Sequence, residues 1–422
     1  MRSLVVSLAV VALVAGCKPG ASTSDAGAPA ASSSPAASGK GAASAASAPI
    51  TQPESDGGMS GGTEALSATR AEKTKIRARS AAGKAGEVVD VAGGPYLAGA
   101  TPGEEGREPA TEPALTQVDL GAFQIDALPF PNDPKKPAKL VASVGEADRA
   151  CREAGARLCT EVEWERACKG PDGDAYATGT GWDPECDKDA ASCESGYRAR
   201  AMGAAREWVV GAIASEGGGA GQVLRGGPTS SAPGKSAFYN HRCSRRGRED
   251  GGGGAAFRCC RGAENKATLP AVAALPAFRK VKMEADKLGK ILQSIPELGR
   301  ISGDVRSFEG EVGVVTSRSH ASAEGVSFTG SPVLWSPELG VEVFVATGRT
   351  KNLSFVVALY PLPNDKYKLA SYFLMLGDVA PVALAYNPSH RKELFWSSCW
   401  GCSGEQGAVS IRDDHHVVVV QH

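Results

Sequence analysis

The chain has 422 residues, enough for two or three domains. Its 46 Lys and Arg against 47 Asp and Glu leave a net charge of −1, so nothing draws the whole molecule towards nucleic acid or an acidic membrane. With 52 Gly, 26 Pro and 6% aromatic residues, linkers and turn-rich domains are expected rather than helical bundles, and 11 cysteines, an odd number, leave one outside any scheme of pairs.

After the basic start Met1-Arg2, Leu4 to Val14 is a nearly unbroken apolar run. Val14-Ala15-Gly16-Cys17 follows and resembles the lipobox of bacterial lipoprotein signal peptides. That resemblance implies removal of residues 1–16 and lipid on Cys17; an ordinary secretory signal is the other reading. Lys18, where an aspartate is linked in many bacteria to inner-membrane retention, favours the outer membrane. Export permits disulfides, and the count then closes: one lipidated cysteine and ten that can pair. No other segment is long and apolar enough to cross a membrane. Residues 18–62 are Ala/Ser/Gly/Pro low complexity, too poor in apolar side chains to offset the entropy of ordering. The basic run Arg70 to Lys84 reads as solvated linker in preference to a short helix on anionic headgroups. Residues 17–86 are therefore expected to form a lipid-anchored, disordered linker.

A first domain is expected over 87–262. Val88 to Val91 alternates as a short strand ending in the turn Gly93-Gly94-Pro95, and Val118 to Ile125 is a second strand. Ser143-x-x-Glu146 is a capping box for a helix with Ala147, Ala150, Cys151 and Ala154 on one face, and Gly155 stands where a helix C-terminal glycine belongs. Thr160-x-x-Glu163 caps the next helix, with Trp164, Ala167 and Cys168 inward. Residues 170–262 are mostly Gly-rich turns and short apolar runs, so the expected class is loop-rich α+β.

Residues 263–275 read as a linker, and 276–422 as a second domain. Ala277 to Ile295 predicts an amphipathic helix with Val281, Leu288, Leu292 and Ile295 on one stripe. Strands are expected at 341–346, 355–360, 367–374, 382–386, 393–397, 409–412 and 417–421. Turn signals such as Pro363-Asn364-Asp365 and Asn387-Pro388 separate them, which predicts an antiparallel β-rich sheet domain.

Several motifs of the first domain, in order, carry a family resemblance. They are VVDVAGGPYLAG (88–99), VDLGAFQID (118–126), RLCTEVEWERACKG (157–170), GAAREW (203–208), VLRGG (223–227), HRCSRR (241–246) and AFRCC (256–260). Together, residues 87–262 resemble the formylglycine-generating enzyme, or sulfatase-modifying factor, family. The resemblance implies a disulfide-stapled variant of the C-type lectin fold. It pairs Cys151 with Cys259 and Cys168 with Cys243. Cys159 stands in place of a proline common in the family motif, and the extra Cys260 is its natural partner; Cys186 and Cys193 remain as a local pair.

The family's chemistry carries over badly. The copper-binding cysteines of the oxidase members fall at Pro233 and Phe238, and neither side chain can supply a thiolate. The calcium-site asparagine of the family's G-N-x-x-E-W motif is Ala204; Glu207 is retained and, as one carboxylate out of a six- to eight-oxygen shell, is read as structural in preference to a calcium ligand. No cofactor is expected, with copper disfavoured and calcium left open through Glu207. No residue is assigned a catalytic role.

Other constellations are weaker. Cys399-Trp400-Gly401-Cys402 mimics a thioredoxin motif, but Ser403 to Gly407 follows as a turn, so a structural Cys399–Cys402 disulfide in a hairpin is favoured. Cys402 with His415, His416 and His422 mimics a zinc set, but the histidines flank a valine-rich strand. His241, His320 and His390 look isolated, and Asp413-Asp414 reads as a hairpin turn. Trp335, Phe395, Trp396 and Trp400 are read as core in preference to a ligand-binding face.

The expected protein is an exported, lipid-anchored envelope protein. Its first domain acts as a non-catalytic binding module for a peptide, glycan or envelope protein, with the membrane reached through the anchor and no nucleic-acid partner. The alternative is an enzyme of the sulfatase-modifying factor family, oxidising a cysteine to formylglycine or running another reaction in the same cleft.

Overall fold

Alternate apolar residues in the N-terminal half close into two four-stranded sheets and a two-stranded ribbon. In the computed structural model, which describes residues 74–214, 220–227, 234–248, 254–299, 301, 304–317, 326–376, 381–398 and 406–422, Val88–Val91, Phe123–Asp126, Cys259–Arg261 and Arg157–Leu158 pair antiparallel in that order. Arg246–Arg248, Ala220–Arg225, Glu207–Ala214 and Ala256–Phe257 form the second sheet, whose last pair is parallel. All described residues belong to the compact unit Ser60–His422. Cys17, Pro233, His320, Cys399, Trp400 and Cys402 lie outside the described residues.

The expected strand over 118–125 is two strands. Thr116–Leu120 pairs with Gly94–Ala98, while Phe123–Asp126 joins the sheet of Val88–Val91. The chain breaks at Gly121-Ala122, where the Gly121 N–H donates to the Asn265 Oδ1 at 2.7 Å rather than to a neighbouring strand. Gly94-Pro95, expected as a turn, opens a strand instead; the missing Pro95 N–H is tolerable because this two-stranded ribbon has only edges.

Both capped helices form. Val144–Glu153 starts at Ser143, whose Oγ accepts from the Glu146 N–H, although the Glu146 carboxylate turns back to the Ala142 N–H instead of closing the box on Ser143. Gly155 follows the cap residue Ala154 with φ +71°, a conformation that costs glycine little. In Glu161–Lys169 the box is reciprocal: the Thr160 N–H donates to Glu163 Oε2 at 2.9 Å and Thr160 Oγ1 accepts from the Glu163 N–H. Trp164, Ala167 and Cys168 are fully buried on its inner face.

Four disulfides staple these elements: Cys151–Cys259, Cys159–Cys260, Cys168–Cys243 and Cys186–Cys193. Cys259 and Cys260 are consecutive on one strand, so their side chains point to opposite faces. Cys259 joins the core of Cys151, Trp208 and Phe257, and Cys260 joins that of Cys159, Trp164 and Cys168. One dipeptide therefore ties together the two cores of the domain.

Two expected linkers are held down. In the basic segment, residues 74–86 lie against the 170–200 loops: Arg77 pairs with Asp172 at 2.9 Å and Asp174 at 2.5 Å, and Ser80 Oγ donates to Glu194. The Arg77 N–H donates to the Thr178 carbonyl and the Ser80 N–H to the Ser192 carbonyl. Residues 74–86 are thus ordered against the domain, because acidic side chains await Arg77 and Arg79. Residues 263–275 carry no helix or strand, yet Asn265 Nδ2 donates to Glu163 Oε1 at 2.8 Å and Leu269 enters the core.

Glu163 titrates with a definite sign. Burial alone raises a carboxyl pKa, but bonds from Arg157, the Thr160 N–H and Asn265 outweigh it and hold Glu163 below its usual 4.5. The folded state therefore gains stability above pH 4.5 and loses it as pH falls through the depressed value. Glu163→Gln should lower stability at pH 7 and flatten the loss below pH 4.5, measured by urea unfolding across pH. An unchanged acid limb contradicts this assignment.

In the C-terminal half, the expected helix over 277–295 is shorter. Phe278–Lys280 is a strand paired with Val333–Trp335, and the helix spans Ala285–Gln293. Leu288, Leu292 and Ile295 are buried together as expected, while Val281 leaves the stripe, its N–H donating to the Pro332 carbonyl. Pairing with a distant strand overrides a hydrophobic period that continues by chance. Strands Phe278–Lys280, Val333–Trp335, Val343–Arg349, Leu353–Leu362 and Lys366–Leu376 form one sheet, with Arg306–Ser307 on the flank of Val343–Arg349. Ser327–Thr329, Ala383–Tyr386, Glu393–Ser397, Gln406–Ile411 and Val417–Gln421 form another, and every pairing in both sheets is antiparallel.

The two sheets enclose Trp335, Val345, Val356, Phe373, Leu394 and Trp396. The alternate residues Phe344, Phe355, Val357 and Leu359 face the other way and meet the helix. Leu353–Leu362 is buried on both faces, which is why it reads as a continuous apolar run. Trp335 and Trp396 are core, as expected. Asn364 and Asp365, both at positive φ, make the tight turn after Pro363. Among the described residues, no helix is long and apolar enough to cross a membrane.

The loop between Ala98 and Thr116 joins the halves. Arg107 donates to the carbonyls of Glu112 and Gly340, both at 3.0 Å, and Lys368 Nζ reaches the Pro102 carbonyl at 3.3 Å.

Candidate functional site

The charged residues of the recognised motifs turn inward and pair. Arg225, fully buried, donates to Glu161 Oε1 at 3.0 Å and Glu165 Oε2 at 2.9 Å; Arg246 donates to Glu161 Oε2 at 2.8 Å. Lys169 bonds Glu165 and the carbonyls of Leu97 and Gly99. Burial works against the Glu165 carboxylate, but Lys169 and Arg225 prevail and hold its pKa below the usual value. Gly226 and Gly227, both at positive φ, lie flat on the 203–206 segment: a Cβ on Gly227 would meet the Arg206 nitrogen at 2.2 Å. The RGG turn thus needs glycine for close approach, and its arginine bridges two buried carboxylates, which Arg246 and Lys169 also pair.

Glu207 belongs to the same framework, in line with its structural reading. Both oxygens accept from Arg258, each at 2.7 Å, and Oε2 also accepts from Trp164 Nε1 at 3.0 Å. Both partners are fully buried. Calcium wants six to eight oxygens; here the carboxylate is saturated by a guanidinium and an indole, and the adjacent position is Ala204. The residues present do not fit calcium. Copper fits no better: Phe238 is 41% exposed on the 3-10 helix Gly234–His241, and each of the eight described cysteines is in a disulfide. Asp183, Cys186 and Cys193 lie close together, but both sulfurs are in the Cys186–Cys193 bond.

A cavity of about 520 Å³ opens beside these elements. One wall is Leu128 to Ala138, fixed by Asn132, whose Oδ1 accepts from the Leu128 N–H at 3.0 Å while its Nδ2 donates to the Glu87 carbonyl at 2.7 Å. The opposite wall is the pair of one-turn helices Pro184–Asp187 and Ala190–Ser192, closed by Cys186–Cys193 and capped by Asp183. Ala201, Ala204 and Ala205 line it between. Much of the lining is alanine and proline, and its polar groups are Asp133, Lys136, Asp187 and His241.

His241, read as isolated from the sequence, is not isolated. Its ring stacks on Trp182 with centroids 3.9 Å apart and planes 5° from parallel. Nδ1 lies 2.8 Å from the Gly203 carbonyl, and Nε2 lies 3.6 Å from Asp187 Oδ1, which accepts from Trp182 Nε1 at 3.1 Å. A carbonyl only accepts, so Nδ1 carries the proton and Nε2 presents its lone pair to the cavity. Burial lowers the His241 pKa below 6.5, against smaller upward pulls from Gly203 and Asp187. The cleft thus holds a neutral imidazole beside a carboxylate. The tail histidines do not converge: His415 and His416 sit at the turn before Val417–Gln421, His415 against Glu338, and His422 follows that strand, roughly 20 Å from His416.

These features define a disulfide-stapled α+β domain built on a buried charge framework. Residues 128–223 match the family described as sulfatase-modifying factor enzyme 1-like domain, so the chain carries a domain of the sulfatase-modifying factor family. The match takes in the capped helices and the cleft walls; Arg225, Arg258 and His241 lie beyond it. No family match falls in the C-terminal half. No curated protein matches the chain.

Proposed function

We propose that the chain is an exported envelope protein, lipid-anchored through Cys17 and placed at the outer membrane by Lys18, whose sulfatase-modifying factor domain (87–262) is a C-type lectin variant that binds rather than oxidises. Residues 276–422 form its β-rich second domain, with no role assigned. One observation carries the reading: every described cysteine is in a disulfide, and a phenyl ring stands at a copper-cysteine position. The alanine- and proline-lined cavity with few polar groups suits a peptide, glycan or envelope-protein segment. A second reading, another reaction in the same cleft, is favoured by the convergence of Asp187 and His241.

The test has two arms on the intact chain. Incubation of a cysteine-containing peptide with the protein, copper and oxygen should give no aldehyde product by mass spectrometry. Muropeptides, which carry both glycan and peptide, should protect residues 128–138 and 184–192 from hydrogen exchange. Formylglycine in the first arm overturns the binding reading.

A further inference from the structure

We infer that the cleft holds one divalent transition-metal ion, of the zinc type, between His241 Nε2 and the Asp187 carboxylate, with water completing its shell. The inference uses the cleft described above, but it stands whether that cleft binds or catalyses.

The geometry comes first. Nε2 and Oδ1 are 3.6 Å apart, too far for a good hydrogen bond. Zinc binds imidazole nitrogen and carboxylate oxygen at about 2.0–2.2 Å, which with a tetrahedral angle separates the two ligand atoms by about 3.4 Å. The observed gap is therefore close to what an ion between them requires. His241 has a side-chain exposure of 5%, its Nδ1–H is spent on the Gly203 carbonyl, its ring lines the cavity, and Nε2 has no hydrogen-bond partner among the described residues.

The surroundings match a metal ligand pair. An imidazole that gives its second N–H to a backbone carbonyl is held in the tautomer and orientation that metal ligands adopt, and the Trp182 indole orients the carboxylate in the same way. A neutral imidazole beside one carboxylate leaves a single negative charge for a divalent cation. One nitrogen and one oxygen favour a borderline metal over calcium. The cavity leaves room for the waters.

The test is calorimetric titration of Zn²⁺ into the intact, oxidised, chelator-treated chain, with any free thiol alkylated. One ion per chain is expected, its affinity falling at least tenfold in His241→Gln and in Asp187→Asn. The Asp187→Asn variant keeps an acceptor for Trp182, so it remains informative if His241→Gln does not fold. Substituting His415, His416 and His422 together with Gln should leave binding unchanged. As an independent signal, Ni²⁺ should quench Trp182 emission, and Asp187→Asn should abolish the quenching. No binding at all, or binding that survives both cleft variants, overturns the proposal. Because the titration contains no peptide or glycan, its failure leaves the binding function to be judged on its own experiment.

Discussion

Replacing Cys151, Cys259, Cys159 and Cys260 together with alanine should cost about 7 kcal/mol, about 2 kcal/mol more than the sum of the two single-bond removals. The two bonds run nearly in parallel, from Cys151 to Cys259 and from Cys159 to Cys260, with sequence separations of 108 and 101. With either bond intact, the other closes a loop of only about ten residues, worth roughly 2.5–3 kcal/mol in the chain-entropy model. With both gone, the chain also regains the freedom of a loop of about 100 residues, roughly 4.7 kcal/mol more. Each single pair of alanines should therefore shift the urea midpoint moderately. The quadruple variant should be close to unfolded, given a typical total stability of about 5–15 kcal/mol. Single removals that each cost the full long-loop value would show that the bonds act independently and that this account is wrong.

Glu207→Gln should destabilise the domain by about 3–5 kcal/mol, the usual result of leaving one partner of a buried pair uncompensated. Arg258 has no exposure, and its Nε and Nη2 both donate to Glu207. Its Nη1 bonds to the Asp126 and Ala127 carbonyls, so the guanidinium cannot swing out to water without abandoning them. Adding Arg258→Met to Glu207→Gln should recover much of the loss, because the remaining groups are neutral. Thermal unfolding of the three proteins, with and without calcium, decides the matter. If calcium stabilises the parent and not Glu207→Gln, then Glu207 is a metal ligand after all.

What the sequence made legible was local or covalent. Ser143 with Glu146 and Thr160 with Glu163 announce helix starts over four residues, and both helices begin there. The longer C-terminal strands were legible because turn residues such as Asn364 and Asp365 punctuate continuous apolar runs. Ser327–Thr329, Val333–Trp335 and Arg306–Ser307 were not, since two or three residues carry no period. The helix over 277–295 was overextended because Val281 happens to continue its stripe, and only pairing with Val333–Trp335 reveals the strand.

The candidate site was hardest to see. His241 and Asp187 meet only because Cys186–Cys193 folds the second wall back and Trp182 offers its face to the imidazole. No spacing in the sequence encodes that meeting. Glu207 is legible as a structural carboxylate, but its counter-ion Arg258 is not: both stand in recognisable motifs, and nothing in those motifs announces that the two face each other.

The docking of residues 74–86 has a mechanical consequence. Tension on the chain before Thr74 loads the bonds from Arg77 to Asp172 and Asp174, and from Ser80 to Ser192 and Glu194, before it reaches the first strand, Val88–Val91. These contacts act as a strain relief for the core sheet. The load passes instead into the segment around Ser192, whose neighbour Cys193 is tied to Cys186 in the cleft wall. A pull on the anchor side is thus taken up by the 172–194 loops, whose last segment adjoins the cavity wall.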